Sequence, residues 1–377
     1  MTERQLEDYT SVRATRTIVD LEAIRRNISG IRERIGTQRR LMAVVKADGY
    51  GHGALEVSQA ALAGGADCLA VAIPEEGQEL RAGGIECPVL VLGLVQPCEA
   101  WKTVTAGLEQ TVCSVELLDA LDQESRNRCV KTSVHIKVDT GMGRIGLAPE
   151  DLVEFARRVT SCPSIVLEGV YSHFSCADER DKAFSRAQVN RFDEVLRALE
   201  AVGISVHTRH MANSAAVLDL PEAHFDMVRP GIMIYGLYPS PDVSHSVVLR
   251  PAMSFVTRIC QVKVVPRGTP IGYGATFVTS KRSTVATIPV GYADGYRRLL
   301  SNKAEVLVRE KRVPLLGRVA MDMCMIDVTS IPDVRPGDDV VLFGVGLPVE
   351  ETASMIGTIN YEVVTGIGKR VPRVYIQ

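Results

Sequence analysis

Short apolar runs alternate with stretches in which apolar residues recur every three or four positions through the first part of the chain. The runs at 17–19, 41–45, 68–73, 89–94, 134–138 and 165–170 read as buried strands. Leu21, Ile24, Ile28, Ile31 and Ile35 follow Asp20, a helix N-cap by type, at helical spacing. Further helical patterns occupy 54–63, 117–121, 152–159 and 183–202. Strands that alternate with helices predict a parallel sheet. The number of repeats suits a (β/α)8 barrel better than a doubly wound sheet, and no Gly-x-Gly-x-x-Gly opens a helix as a dinucleotide fold would require. Beyond a Pro/Ser-rich stretch at 238–246 the pattern changes. Runs at 255–265, 284–290, 304–308 and 340–343 are rich in Val, Ile and Thr and are broken by turns, which predicts a mostly β domain. The expected organisation is therefore α/β: an extension over 1–12, a TIM-like barrel over 13–243 and a C-terminal mostly β domain over 244–377.

Composition narrows the function classes. A chain of 377 residues that is 46% hydrophobic can bury two cores. A net charge of −2 gives no basic excess for nucleic acid. No run approaches the ~20 apolar residues of a membrane span, and the polar first residues lack a secretory apolar core, so a cytoplasmic location is expected. Nine cysteines, an odd number with no Cys-x-x-Cys, argue against a zinc site or a disulfide framework, and no metal is expected.

The strongest chemical signal is Lys46. It ends the apolar run 41–45, and Gly49, Gly51 and Gly53 follow with Tyr50 and His52 between them. A lysine at the end of a buried strand, before a turn with little side-chain bulk, keeps its stem in the core and its amine at a cavity. Desolvation there lowers its pKa and makes it a usable nucleophile or base. This is the position of a Schiff-base lysine holding pyridoxal phosphate. Asn213-Ser214 before the apolar 215–218 reads as a helix start able to meet an anion. Taken alone, Tyr273 reads as a turn tyrosine and His173 equally as a satisfied core histidine.

The segment 45–53, Val-Lys-Ala-Asp-Gly-Tyr-Gly-His-Gly, resembles the cofactor-lysine signature of the alanine racemase family. The resemblance extends, in order, through 138–146, 171–174, 212–216, 228–232, 235–236, 271–274, 290–296, 321–322, 358–362 and 370–373. It implies a pyridoxal-phosphate enzyme that interconverts L- and D-alanine with two bases on opposite faces of the cofactor: Lys46, and Tyr273 from the other subunit of a homodimer with shared active sites. By the same resemblance Arg229 faces the pyridine nitrogen and His173 links that arginine to the tyrosine. Tyr50, Asn213, Ser214, Gly231, Ile232 and Tyr361 belong to the cofactor site, mostly around its phosphate. Arg144 and the Met321 backbone meet the substrate carboxylate. Lys137 matches a lysine often carbamylated to hold Arg144; Asp322 lies near the catalytic tyrosine. Tyr292, Asp294 and Arg298 match an entry corridor, with an ordinary surface turn the equal alternative for the last two.

Tyr361 crowds the side-chain pocket in the family and goes with alanine, with serine as a slower substrate. The expected cellular role is supply of D-alanine for peptidoglycan. The alternatives are a serine racemase of the family, a barrel-type decarboxylase and a barrel-only cofactor carrier. A decarboxylase would place an acid where Arg229 stands, and a carrier would lack Tyr273 and Met321.

Overall fold

The computed structural model describes residues 13–377; the extension expected over 1–12 lies outside the described residues. The chain divides into two compact units, one of residues 22–250 and one of residues 13–21 with 251–377.

The first strand, β1 (Arg16–Asp20), pairs outside the barrel. The next eight are β2 (Arg40–Val44), β3 (Cys68–Val71), β4 (Val89–Val91), β5 (Glu109–Val112), β6 (Thr132–Lys137), β7 (Ile165–Tyr171), β8 (Thr208–His210) and β9 (Met227–Val228). Each pairs in parallel with the next, and β9 returns to β2, closing the barrel. Helices such as Ala54–Ala63, Pro74–Ala82, Val115–Asn127, Leu152–Ser161 and Ala183–Ala201 make the crossovers. In β2, Leu41, Met42, Ala43 and Val44 are all buried, as a strand covered on both faces requires.

Three barrel strands escape the hydropathy pattern. The buried side chains of β5 include polar ones whose partners lie on neighbouring elements. Thr103 donates to Gln110 (2.9 Å), Gln110 donates to the Gly93 carbonyl (2.9 Å) and Thr111 to the Val91 carbonyl (2.7 Å). Strands β8 and β9 are only three and two residues long.

In the second unit the described residues form one large sheet. Its order is Gln261–Val265, Ser283–Ile288, Cys324–Asp327, Lys311–Leu316, Glu305–Val308, Asp339–Phe343, Met253–Arg258, β1, Arg373–Ile376. The run over 255–265 is two strands at different places in this sheet. Ile259 and Cys260 carry the chain between them, donating to the carbonyls of Asp338 and Thr287 (both 2.9 Å).

The domain boundary differs from the expected one at both ends of the barrel. Strand β1 pairs antiparallel with Met253–Arg258 and parallel with Arg373–Ile376, burying Thr17 and Val19, so residues 13–21 belong with the β unit. Residues 244–250 belong with the barrel. The Arg250 N–H donates to Asn27 Oδ1 (2.8 Å), Asn27 Nδ2 donates back to the Arg250 carbonyl (2.9 Å), and Ser244 N–H donates to Asp219 (3.1 Å).

Leading into β1, Arg13 is anchored by Asp294, whose carboxylate is wholly buried and accepts from Arg13 (2.6 Å), Arg370 (2.8 Å) and the Gly291 N–H (3.0 Å). This is a fold-holding charge, not an exposed turn residue. Burial pushes the carboxyl up, but these donors outweigh it and hold its pKa below 3.8. Stability from a depressed carboxylate is present above the unfolded-state pKa and lost as pH falls through the folded one. Asp294→Asn is expected to cost about 2–3 kcal/mol at neutral pH. Thermal melts should show the gap from wild type closing below pH ~4; a gap that stays constant with pH would contradict this assignment.

Candidate active site

The residues after β2 make a turn of unusual hand. Ala47, Asp48, Gly49 and Tyr50 follow one another with φ of 53°, 54°, 57° and 51°, all in the left-handed region. Each non-glycine residue there costs about 1–2 kcal/mol, so such a turn persists only where its surroundings over-determine it. Val45 O and Ala47 O accept from Gly49 and Gly51 (both 2.9 Å). Glu76 accepts from the N–H groups of Ala47 (2.6 Å) and Ala72 (2.7 Å), and Asp48 accepts from Ala54 N–H (3.0 Å). Buried Tyr235 donates its hydroxyl to Val44 O (3.0 Å). The turn presents Lys46 from the strand end. Burial and the Arg144 charge lower the Lys46 pKa below 10.5, against an opposing pull from Glu76. The three glycines signalled a turn; its handedness, imposed on Ala47, Asp48 and Tyr50, carried no sequence signal.

Arg229 follows β9 and is buried. It donates to His210 Nδ1 (2.7 Å) and to the carbonyls of Ser172 (2.8 Å) and Met211 (3.2 Å), lies 3.5 Å from His173 Nδ1, and sits over the Tyr171 ring with its central carbon 4.9 Å from the centroid. Its acceptors are neutral. Burial brings its pKa down to about 10, which leaves it protonated at neutral pH. His173 is pushed well below 6.5, first by burial and then by four cations: Arg229, Lys137, Arg144 and Lys46. Lys137 ends β6, and burial, Arg229 and Arg144 lower it to about 7 against the pull of Asp139.

Arg144 leaves an exposed loop that Asp139 folds. Both Asp139 oxygens are used, accepting from the N–H groups of Gly141 (2.9 Å), Met142 (2.8 Å) and Gly143 (2.8 Å). Asp139 and Glu76 act through the segments they hold. Sequence reasoning passed over both; the Asp-x-Gly-x-Gly spacing of residues 139–143 was the signal that could have revealed the first.

Tyr50, Ser214 and Gly231 also come together. Ser214 Oγ accepts from Gly231 N–H (2.9 Å), and a side chain at position 231 would place its first carbon 2.5 Å from the Tyr50 hydroxyl. Gly231 therefore keeps bare backbone beside a phenol. Ile232 continues into a short 3-10 turn, Ile232–Tyr235. Asn213 caps the six-residue helix Ser214–Asp219, its Oδ1 accepting from Ala216 N–H (3.0 Å).

In the β unit, Tyr273 heads the turn Tyr273–Ala275 and is 73% exposed. It is flanked by Gly272 and Gly274 with φ of 73° and 71°. Tyr292 and Met321 are brought together by backbone bonds: Tyr292 N–H donates to Ala320 O (3.0 Å) and Ala293 N–H to Met321 O (3.1 Å). Gly291 permits this, since a Cβ there would fall 2.3 Å from both of those carbonyl oxygens. Asp322 accepts from Arg370 (2.7 Å), the same guanidinium that holds Asp294. Arg298 is exposed, and Tyr361 is half-buried on the helix Asn360–Thr365.

A parallel barrel with a lysine at the end of one strand, joined in sequence to a mostly β unit, defines a class of two-domain enzyme. The alanine racemase N-terminal domain matches residues 19–239 and the alanine racemase C-terminal domain matches 252–375. The alanine racemase of Desulforamulus reducens is 48% identical over 95% of this chain and 98% of its own length; that of Desulfovibrio desulfuricans is 47% identical over 95% and 97%. The structure of alanine racemase from Clostridium difficile superposes with a TM-score of 0.93 at 37% identity, covering 96% of each chain. That of alanine racemase from Bacillus anthracis with bound L-Ala-P gives 0.91 at 39%, covering 97% of this chain and 95% of that one. The chain belongs to the alanine racemase family and is an isomerase.

A lowered pKa leaves more of the Lys46 amine neutral at neutral pH than is usual for lysine. Trace acetylation of the cofactor-free protein over a pH series, read by peptide mass spectrometry, should show Lys46 reaching half-maximal reactivity below the ordinary 10.5. A profile like that of an exposed lysine would contradict the desolvated site.

Proposed function

We propose that this enzyme interconverts L- and D-alanine with pyridoxal phosphate, as a cytoplasmic homodimer supplying D-alanine for peptidoglycan. The observation that supports this most is the convergence of Lys46, Lys137, Arg144 and Arg229 on His173. Four basic side chains at the end of a barrel, two of them lysines with a lowered pKa, call for anionic occupants. A phosphate, a phenolic oxygen and an amino-acid carboxylate meet that demand. The donor set fits the cofactor: Lys46 would hold it through its amine, Arg229 would donate to its ring nitrogen, and Tyr50, Asn213, Ser214, Gly231, Ile232 and Tyr361 would surround its phosphate.

When bound, pyridoxal phosphate supplies the electron sink that makes the α-proton of an amino acid removable. The protein's own groups do the rest. Lys46 takes or returns the proton on one face, and Tyr273 of the partner subunit does so on the other. Arg144 and the Met321 backbone N–H hold the substrate carboxylate, and Asp139 keeps the Arg144 loop folded. Arg229 stays protonated and donates a hydrogen bond without giving up its proton, which limits charge withdrawal and favours racemisation over side reactions. Lys137, lowered to about 7, is suited to carbamylation: its neutral amine adds to carbon dioxide with loss of one proton, giving a carbamate anion that attracts Arg144 where the ammonium form repels it. Tyr361 limits the side-chain pocket to alanine, with slower turnover of serine, since a single added hydroxyl is weakly rejected by a small pocket.

Two bases predict separable losses. In deuterium oxide, Lys46→Ala should abolish α-hydrogen exchange from both enantiomers. Tyr273→Phe should lower racemisation by about 10²–10⁴-fold while Lys46 still exchanges the α-hydrogen of one enantiomer. Equal residual exchange of both enantiomers in Tyr273→Phe would overturn the two-base assignment.

A further inference from the structure

His210, which accepts from Arg229, is not the end of its own hydrogen-bond chain. Its Nε2 lies 2.9 Å from His135 Nδ1, and His135 Nε2 lies 3.0 Å from Glu109 Oε2. Arg229 and both histidines are buried, and Glu109 stands at the first residue of β5, the opposite end of its strand from the barrel's catalytic face. We propose that Glu109 is a positioning residue: it anchors a one-way hydrogen-bond chain through His135 and His210 that sets the orientation of Arg229.

The direction of the chain follows from donor chemistry alone. A guanidinium has no acceptor, so Arg229 must donate and His210 Nδ1 must carry a lone pair. The His210 proton is then on Nε2, which donates to His135 Nδ1. The His135 proton is then also on Nε2, which donates to the Glu109 carboxylate. Both imidazoles are neutral, both carry the Nε2–H tautomer, and Glu109 is ionised. The surrounding charges agree. Burial, then the charge of Arg229 and those of Lys137 and Arg40, push His210 well below 6.5. Burial pushes Glu109 up, but His135, Arg40 and Arg81 prevail and hold it below 4.5.

The fold makes room for this chain and clamps it. Strand register shifts between Val134 and His135 where β6 pairs with β7. Opposite His135 stands Gly169, where a Cβ would fall 2.3 Å from His135 Nδ1. The Tyr171 ring stacks on His210 at 4.7 Å and 11°, and the Tyr171 hydroxyl is held by Thr111 (2.8 Å). An imidazole whose N–H is engaged is a better acceptor at its other nitrogen, so Glu109 strengthens the His210–Arg229 bond from across the barrel. At metal sites, loss of the residue that orients a ligating histidine costs about 10–100-fold in affinity or activity, and the lower end of that range is expected for Glu109.

The effect on catalysis rests on the reading that Arg229 faces the cofactor, whereas the tautomers do not, so the two can fail separately. The test is imidazole 15N NMR of the cofactor-loaded enzyme without substrate, the rings assigned by single histidine substitutions. Wild type should show His135 and His210 neutral and protonated on Nε2 across the neutral range. Glu109→Gln, which keeps an acceptor oxygen, should preserve both tautomers. Glu109→Leu should scramble them, shift the absorption band of the bound cofactor and lower kcat about tenfold with little change in KM for alanine, and Glu109→Gln should recover most of that loss. An imidazolium or an Nδ1–H tautomer at either ring in wild type would overturn the proposal, as would unchanged His210 signals in Glu109→Leu. If the leucine variant does not fold, the wild-type and glutamine spectra still decide. If the tautomers respond but neither kcat nor the absorption band does, the hydrogen-bond chain stands and the placement of Arg229 against the cofactor fails.

Discussion

The barrel is organised around a buried guanidinium with neutral acceptors. Arg229 is held by two carbonyl oxygens and an imidazole nitrogen, and an aromatic ring lies across it. Placing a charge in such a position is costly unless it is hydrogen-bonded, and the residues around it supply acceptors to both terminal nitrogens of the guanidinium. His210 is held flat against Tyr171, Ser172 turns its carbonyl inward, and Gly169 makes room for the next histidine. Burial lowers the pKa of Lys137 and His173, and the Arg229 charge beside them lowers both further.

The left-handed turn after β2 is the mechanical counterpart. Three non-glycine residues in a strained region are held by backbone N–H groups that donate to the Glu76 and Asp48 carboxylates and by the Tyr235 hydroxyl on Val44. Strain of this kind is retained when it fixes a group that must not wander. Here it fixes the backbone on either side of Lys46 and buries the Tyr50 ring close to Tyr235, with centroids 4.8 Å apart. The hydroxyl of that ring then lies beside Gly231. Rigid backbone on one side and glycine on the other leave a site shaped before any ligand arrives, the condition for preorganised catalysis.

Much of this was legible in the sequence, and the failures have physical causes. Apolar strands such as β2 and β7 announce themselves because both faces are covered. Strand β5 does not, because Gln110 and Thr111 are buried polar residues whose partners come from elsewhere in the chain. Strand β1 looked like the start of the barrel, since hydropathy says that a strand is buried but not against what; its neighbours lie more than two hundred residues away. Among site residues, the lysine, arginines and tyrosines were marked by motif. Glu76, Asp139, His135 and Glu109 were not, because each acts on backbone or on another side chain, and those contacts exist only once the chain has folded. Asp294 sat in a recognisable motif, yet its use as a buried counter-ion to Arg13 and Arg370 depends on segments far away in sequence.

Loss of optical rotation from L-alanine, followed with purified cofactor-loaded protein and resolved by chiral chromatography with L-serine alongside, tests most directly whether this chain races alanine between its two hands. Rotation should decay to zero from either enantiomer, since the two have equal free energy, and kcat/KM should be higher for alanine than for serine. Unchanged rotation with both amino acids, or a kcat/KM for serine equal to or above that for alanine, would contradict it.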